Sequence, residues 1–132
     1  MNLELKWITG DETMGVKMVE WANEMGRKLA KGKLDRRNKD SEQLTTSQIR
    51  KFYGEVKRIE SDWEKYSADV PLLNAKLAYA VGRKKKEYGI QLFADTFYDA
   101  IMKASENEDN FTRLVKILEA TVAYHKYHGG KD

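Results

Sequence analysis

The chain has 132 residues, 41% of them hydrophobic and 34% charged, with a formal net charge of +3 and a pI near 9.0. That length holds one domain with a real core, and the absence of cysteine excludes disulfides, thiolate catalysis and cysteine-based zinc sites. No apolar run approaches the roughly 18 residues of a membrane span, and Met1–Glu12 has no apolar segment of the signal-peptide kind. The expectation is a soluble, cytoplasmic protein without membrane contact. A charge of +3 is too small to argue for a nucleic-acid partner by itself; only its distribution could.

With Pro71 as the single proline and no useful run at period two, the chain reads as all-α. It forms one helical domain over 1–132, a compact bundle of about five helices. A first helix is expected over 11–31, where Met14, Met18, Trp21, Met25 and Leu29 fall on one face. Its three methionines make an adaptable surface, though core packing is the favoured reading. Gly15 and Gly26 each weaken it by about 1 kcal/mol relative to Ala, so it relies on tertiary contact.

Residues 32–43 turn polar and read as a basic linker with only Leu34 to bury. The linker leaves the first helix loosely tethered, and a homodimer with that helix swapped follows as a hypothesis. Arg27, Lys28, Lys31, Lys33, Arg36, Arg37 and Lys39 face the lone acid Asp35 over this stretch. Such a run is usually a solvated linker; the other reading is a mobile basic arm for phosphates.

The helical core spans 44–130. Thr45 and Gln48 form a capping box, and Leu44 closes onto Ile49 as a hydrophobic staple. Ile49, Phe52, Val56, Ile59 and Trp63 then supply one buried line of a second helix. Arg50, Lys51, Lys57 and Arg58 flank it early and Glu60, Asp62 and Glu64 late, the reverse of what the helix dipole prefers. Pro71 opens a third helix, which Gly89 ends. Leu73, Leu77, Ala80 and Val81 make its apolar face, while Lys76, Tyr79, Arg83 and Lys86 make a basic stripe. A fourth helix over 90–104 buries Ile90, Phe93, Phe97 and Ile101. The last, from Phe111 to about Tyr127, is apolar on more than one side and reads as central to the bundle; Gly129 and Gly130 close it.

No catalytic pattern emerges. Gly82-Arg83-Lys84 lacks the earlier glycine and the Ser or Thr of a phosphate loop. His125 and His128 lie three apart without a third ligand in that turn, so a metal site is not expected; His125 reads instead as a favourable partner of the helix C-terminus. No carboxylate pair sits in an apolar setting that would tune a general acid. The chain reads as a non-enzyme without cofactor.

Three stretches carry a resemblance. Leu44-Thr45-Thr46-Ser47-Gln48-Ile49-Arg50-Lys51-Phe52, Leu77-Ala78-Tyr79-Ala80-Val81-Gly82-Arg83 and Glu119-Ala120-Thr121-Val122-Ala123-Tyr124-His125-Lys126-Tyr127 resemble, in order and spacing, the small subunit of type III-A CRISPR effector complexes, the Csm complex. The resemblance covers about 44–130; residues 1–43 rest on their own periodicity. It implies a small, all-helical, non-catalytic subunit that stacks in several copies along the guide RNA–target RNA duplex. It also implies contact with the backbone and large subunits, which hold the cutting activities, in antiviral defence. Such a subunit needs phosphate contacts without base readout.

Carried over by position, the RNA-binding candidates are Arg50, Lys51, Lys57 and Arg58 on the second helix and Lys76, Arg83 and Lys86 on the third. Tyr79 is placed against the last helix rather than on RNA, and Arg83 has a structural alternative, a pair with an acid such as Glu119. The rival class is a helical protein–protein assembly module that does not touch nucleic acid. A helix-turn-helix DNA reader fits less well, because leucines stand where base-reading polar residues should lead.

Overall fold

The computed structural model describes residues 1–34, 37 and 40–131. In chain order they form α1 (Leu5–Thr9), α2 (Gly15–Lys31), the two-residue strands β1 (Lys33–Leu34) and β2 (Asp40–Ser41), α3 (Thr46–Ser61), α4 (Trp63–Tyr66), a 3-10 turn at Ser67–Asp69, α5 (Leu72–Arg83), α6 (Tyr88–Ala104) and α7 (Glu108–Tyr127). The five long helices are those expected, and the all-α reading holds. No helix among the described residues is long and apolar enough to cross a membrane.

Helix α7 is central for the reason its sequence suggests. Asn107 caps it by accepting the Asn110 N–H at 2.8 Å. Phe111, Leu114, Val115, Ile117, Leu118, Thr121 and His125 are then all buried, a broad arc approaching half its circumference. Helices α2, α3 and α6 pack around it. Aromatic rings tie the layers together: Trp21 of α2 lies edge-on to Phe97 of α6 at 6.1 Å, and Phe52 of α3 edge-on to Phe93 of α6 at 5.2 Å.

Several expectations are corrected. The first helix starts at Gly15, not near Asp11, and it is not loosely tethered: Met25 and Leu29 are fully buried and α2 lies directly on α7. In the polar segment after it, β1 and β2 pair antiparallel, Lys33 with Ser41 and Leu34 with Asp40. Leu34, the residue expected to be buried there, is 62% exposed. Asp35, Arg36 and Lys39 of the basic run lie outside the described residues.

The second helix breaks where Asp62 leaves helical geometry at φ −153° and ψ 82° and caps α4 by accepting the Lys65 N–H. Helix α5 stops at Arg83, because Lys85 and Lys86 adopt left-handed φ of 52° and 60°. The Lys86 N–H then closes on the Val81 carbonyl at 2.9 Å. Gly89 therefore does not end α5. It sits buried inside α6, where a Cβ would strike the backbone of 42–44, and its N–H donates to the Glu42 carbonyl at 2.8 Å.

Residues 1–10, left without an element by the sequence, supply α1. It buries Trp7 and Ile8, and Arg113 of α7 donates to the Ile8 carbonyl at 3.2 Å.

Two residues at the end of α7 lock the assembly. A Cβ on Gly26 would collide with the backbone of Tyr124 and His125, so the glycine that weakens α2 locally is what lets the two helices touch. His125, buried rather than serving the exposed helix end, donates from Nε2 to the Leu44 carbonyl at 2.7 Å. A carbonyl only accepts, so Nε2 carries a proton. Desolvation holds its pKa below the ordinary 6.5, against the pull of the Leu44 bond, and nearby Lys126 adds to the lowering.

Two stability predictions follow from these contacts. Gly26→Ala should cost about 1–3 kcal/mol through overpacking. Gly54→Ala, in mid-α3 with nothing within 4 Å of the added methyl, should instead stabilise by about 0.5–1 kcal/mol; urea unfolding of both variants checks the opposite signs. For His125, the unfolded chain binds a proton as pH falls through about 6.5 while the folded chain resists, so stability should drop as pH falls below that value toward the lowered folded pKa. His125→Gln should flatten the decline between about pH 6.5 and 5, a window above that in which Glu24 and Glu55, both held below the usual carboxylate range, take up protons. Parallel pH profiles for the two proteins would remove His125 as the cause.

Candidate nucleic-acid interface

The Thr45 capping box is fully formed: Gln48 N–H donates to Thr45 Oγ1 at 3.1 Å, and Thr45 N–H to Gln48 Oε1 at 2.8 Å. It starts α3 cleanly, with Leu44 and Ile49 both buried beside it. Helix α5 then runs back along α3, bringing Lys76 Nζ to 2.6 Å from Glu55 Oε2. Between the two helices lies an open groove of about 630 Å3. Its floor is apolar, made by Phe52, Leu77, Ile90 and Phe93, and Lys51, Lys76, Arg83 and Lys84 stand on its rim.

The seven candidate cations do not form one surface. On α3, Lys51 lies on the groove side with Glu55, while Arg50 and Lys57, seven apart, share the line roughly opposite it. Lys57 is paired with Glu60 at 2.5 Å, which raises its pKa. Arg58 is held by Asp69 at 3.0 Å and Glu55 at 3.4 Å and lies 4.5 Å over the Tyr66 ring. Lys76 is held by Glu55, and that hydrogen bond keeps the Glu55 carboxyl below its usual range. Three of the seven are thus in intramolecular pairs.

Arg50, Lys51, Arg83 and Lys86 are exposed and form no ion pair among the described residues. Arg83 is therefore not matched with Glu119. Lys86 leaves the helical stripe for the left-handed turn, together with Lys84 and Lys85, which the sequence did not single out.

Tyr79 reverses its expected place. It is 72% exposed and lines the groove, rather than packing on α7. The periodicity of α5 identifies its buried face, Leu73, Leu77 and Val81, but not that α6, rather than α7, covers that face. Gln48 also lines the groove; with its carbonyl oxygen engaged by the cap, its amide NH2 remains a donor there. Elsewhere His128 Nε2 meets Asn23 Oδ1 at 2.6 Å, and among the described residues no group of three or more His, Asp or Glu is placed to hold a metal.

The three ordered motifs fall at the capped start of α3, on α5 and on the last turns of α7 of this small all-α fold. Residues 13–131 match the family described as Csm2 Type III-A. The protein described as "CRISPR system Cms protein Csm2" from Streptococcus thermophilus is 30% identical over 105 residues, 75% of this chain and 84% of that protein. No solved structure matches. The chain belongs to the Csm2 family and is a small subunit of the type III-A Csm complex. The match extends the resemblance from residue 44 back to residue 13, taking in the whole of α2.

Proposed function

We propose that this subunit is a non-catalytic RNA-binding component of the type III-A interference complex. It lies along the guide RNA–target RNA duplex in the cytoplasm and links copies of itself with the backbone and large subunits in antiviral defence. One observation carries the RNA contact: Lys51 from α3 and Arg83 and Lys84 from α5 and its following turn converge on one groove, with no acid paired to any of them among the described residues. Unpaired cations are the ones whose field reaches a phosphate undiminished. Base pairing reads the sequence in a guided complex, so the subunit needs only to grip the backbone.

Lys86 extends the same reading along the turn after α5, and Arg50, on the other line of α3, is a separate contact outside the groove. Lys57, Arg58 and Lys76 contribute after exchanging an intramolecular carboxylate for a phosphate, which makes them weaker contacts. The assembly reading without nucleic acid draws on the groove's apolar floor and on Leu72, 53% exposed at its edge.

The test is single-stranded RNA binding by the isolated protein at several salt concentrations. The double variant Lys51→Glu, Arg83→Glu should bind more weakly, and its log–log salt slope should fall by about 1.4, or about 0.7 for each lost contact. Adding Arg50→Glu should flatten the slope further, whereas Lys57→Ala should stay near the wild type. Unchanged affinity and slope in the double variant would leave the assembly reading in possession of the groove.

A further inference from the structure

We infer that the α3–α5 groove receives an unstacked nucleobase of single-stranded RNA, with Tyr79 as its stacking face and Lys51, Arg83 and Lys84 on the adjoining phosphates. The inference rests on the RNA-binding reading and adds what the groove takes. A rail for phosphates needs only cations on a convex, solvated face. This surface is instead concave and apolar beneath its cations, with Phe52, Leu77, Ile90 and Phe93 as floor. Its volume of about 630 Å3 lies within the roughly 300–1,000 Å3 usual for small planar and drug-sized ligands.

Charge is unevenly distributed along it. At one end Lys76 and Glu55 cancel each other; at the other, Lys51, Arg83 and Lys84 have no acid among the described residues. Tyr79 stands between Lys76 and Arg83 on α5, 72% exposed, with the short side chains of Ala75 and Ala80 also in the lining. At that exposure the ring is accessible to a ligand in the groove. A ligand matched to this gradient is anionic at one end and flat and apolar at the other, as a nucleotide with its base out of the stack is. The Glu55–Lys76 pair leaves its end of the groove without net charge, so a phosphate is drawn to the Lys51, Arg83 and Lys84 end, and this orients the nucleotide. An amphipathic acidic helix is the competing occupant, but it would bring carboxylates along the whole length of the groove, including the Glu55 end.

The experiment compares single-stranded RNA with a ribose-phosphate oligomer of equal length that lacks bases, and adds an RNA carrying 2-aminopurine. The full-length protein should bind the base-bearing strand about tenfold or more tighter than the abasic one and change 2-aminopurine fluorescence. Tyr79→Ala should remove that preference and the fluorescence change while leaving the salt slope intact, and Tyr79→Phe should restore both. Because Tyr79 is exposed, circular dichroism and the melting temperature should be unchanged in both variants. Equal affinity for the two strands in the wild type would overturn the inference; if Lys51→Glu, Arg83→Glu still flattens the slope, the RNA-binding reading survives it. If the charge variants also bind normally, both fall. Tyr79→Ala that binds RNA normally yet no longer co-assembles with the other subunits would assign the groove to a protein partner instead.

Discussion

The backbone-to-backbone approach of α2 and α7 at Gly26 is the constraint on which the other helices depend. Helices carrying ordinary side chains keep axes some 8–10 Å apart; removing one Cβ at Gly26 lets α2 close onto Tyr124 and His125. That closeness aligns the end of α2 with the end of α7, and the chain leaving α2 is captured there. The Leu44 N–H donates to the Leu29 carbonyl at 2.9 Å, while the Leu44 carbonyl accepts from His125 at 2.7 Å. Leu44, fully buried just ahead of α3, is thus held by the Leu29 carbonyl on one side and the His125 ring on the other. The Thr46 N–H donating to the Lys131 carbonyl at 2.6 Å adds the last strand of the clasp. Gly130 belongs to the same device, because a Cβ there would occupy the His125 ring.

The clasp has a functional reach because α3 forms one wall of the groove. With its first residue fixed against α7, α3 can only present Gln48, Lys51 and Glu55 toward α5. Helix α5 is positioned by its own core contacts, Leu73, Leu77 and Val81 against α6, so the groove is bounded by two helices held from different sides of the core. Neither wall is set by direct packing over the groove itself, which is why its apolar floor stays open. The Glu55–Lys76 pair joins the two walls, and the Arg58–Asp69 pair ties α3 to the 3-10 turn that precedes α5. They are partly exposed, and pairs of this kind contribute little net stability. Their larger effect is to confine the net positive charge to the Lys51–Lys84 end.

What could be read from the amino-acid order follows the range of the forces involved. The Thr45–Gln48 box, the core faces of α3, α5 and α6, and the central place of α7 rest on neighbours within one or two turns, and all of them stand as expected. The break at Asp62 is also local, but a run of apolar residues at helical spacing masks it, since Trp63 continues the period of α3. Helix α1 escapes periodicity because five residues barely span one turn. The turn at Lys84–Lys86 escapes for a different reason: left-handed backbone at Lys85 and Lys86 replaces the glycine that usually signals such an end. Gly89, which looks like that signal, is used for the close approach of the backbone of residues 42–44. Charge pairing was the least legible feature. Glu55 and Lys76 are far apart in sequence, and nothing local indicates that one cation of the α5 stripe would be neutralised while its neighbour Arg83 would not.

That difference between Lys76 and Arg83 alters the meaning of the stripe. A uniform row of cations on α5 would bind a phosphate backbone in any register, with each position equivalent. Instead the stripe is graded: a neutralised lysine, an exposed aromatic, a free arginine and then a lysine-rich turn, all over an apolar floor. Left-handed φ at Lys85 and Lys86 costs these residues conformational energy of order 1 kcal/mol each, and the fold bears it to turn the chain sharply from α5 into α6. The same sharp turn keeps Lys84 at the mouth of the groove, where a continued helix would have carried the next lysines away along its axis. The local strain, the clasp at Leu44 and the single neutralising acid at Glu55 therefore act on one feature, the polarity of the groove between α3 and α5.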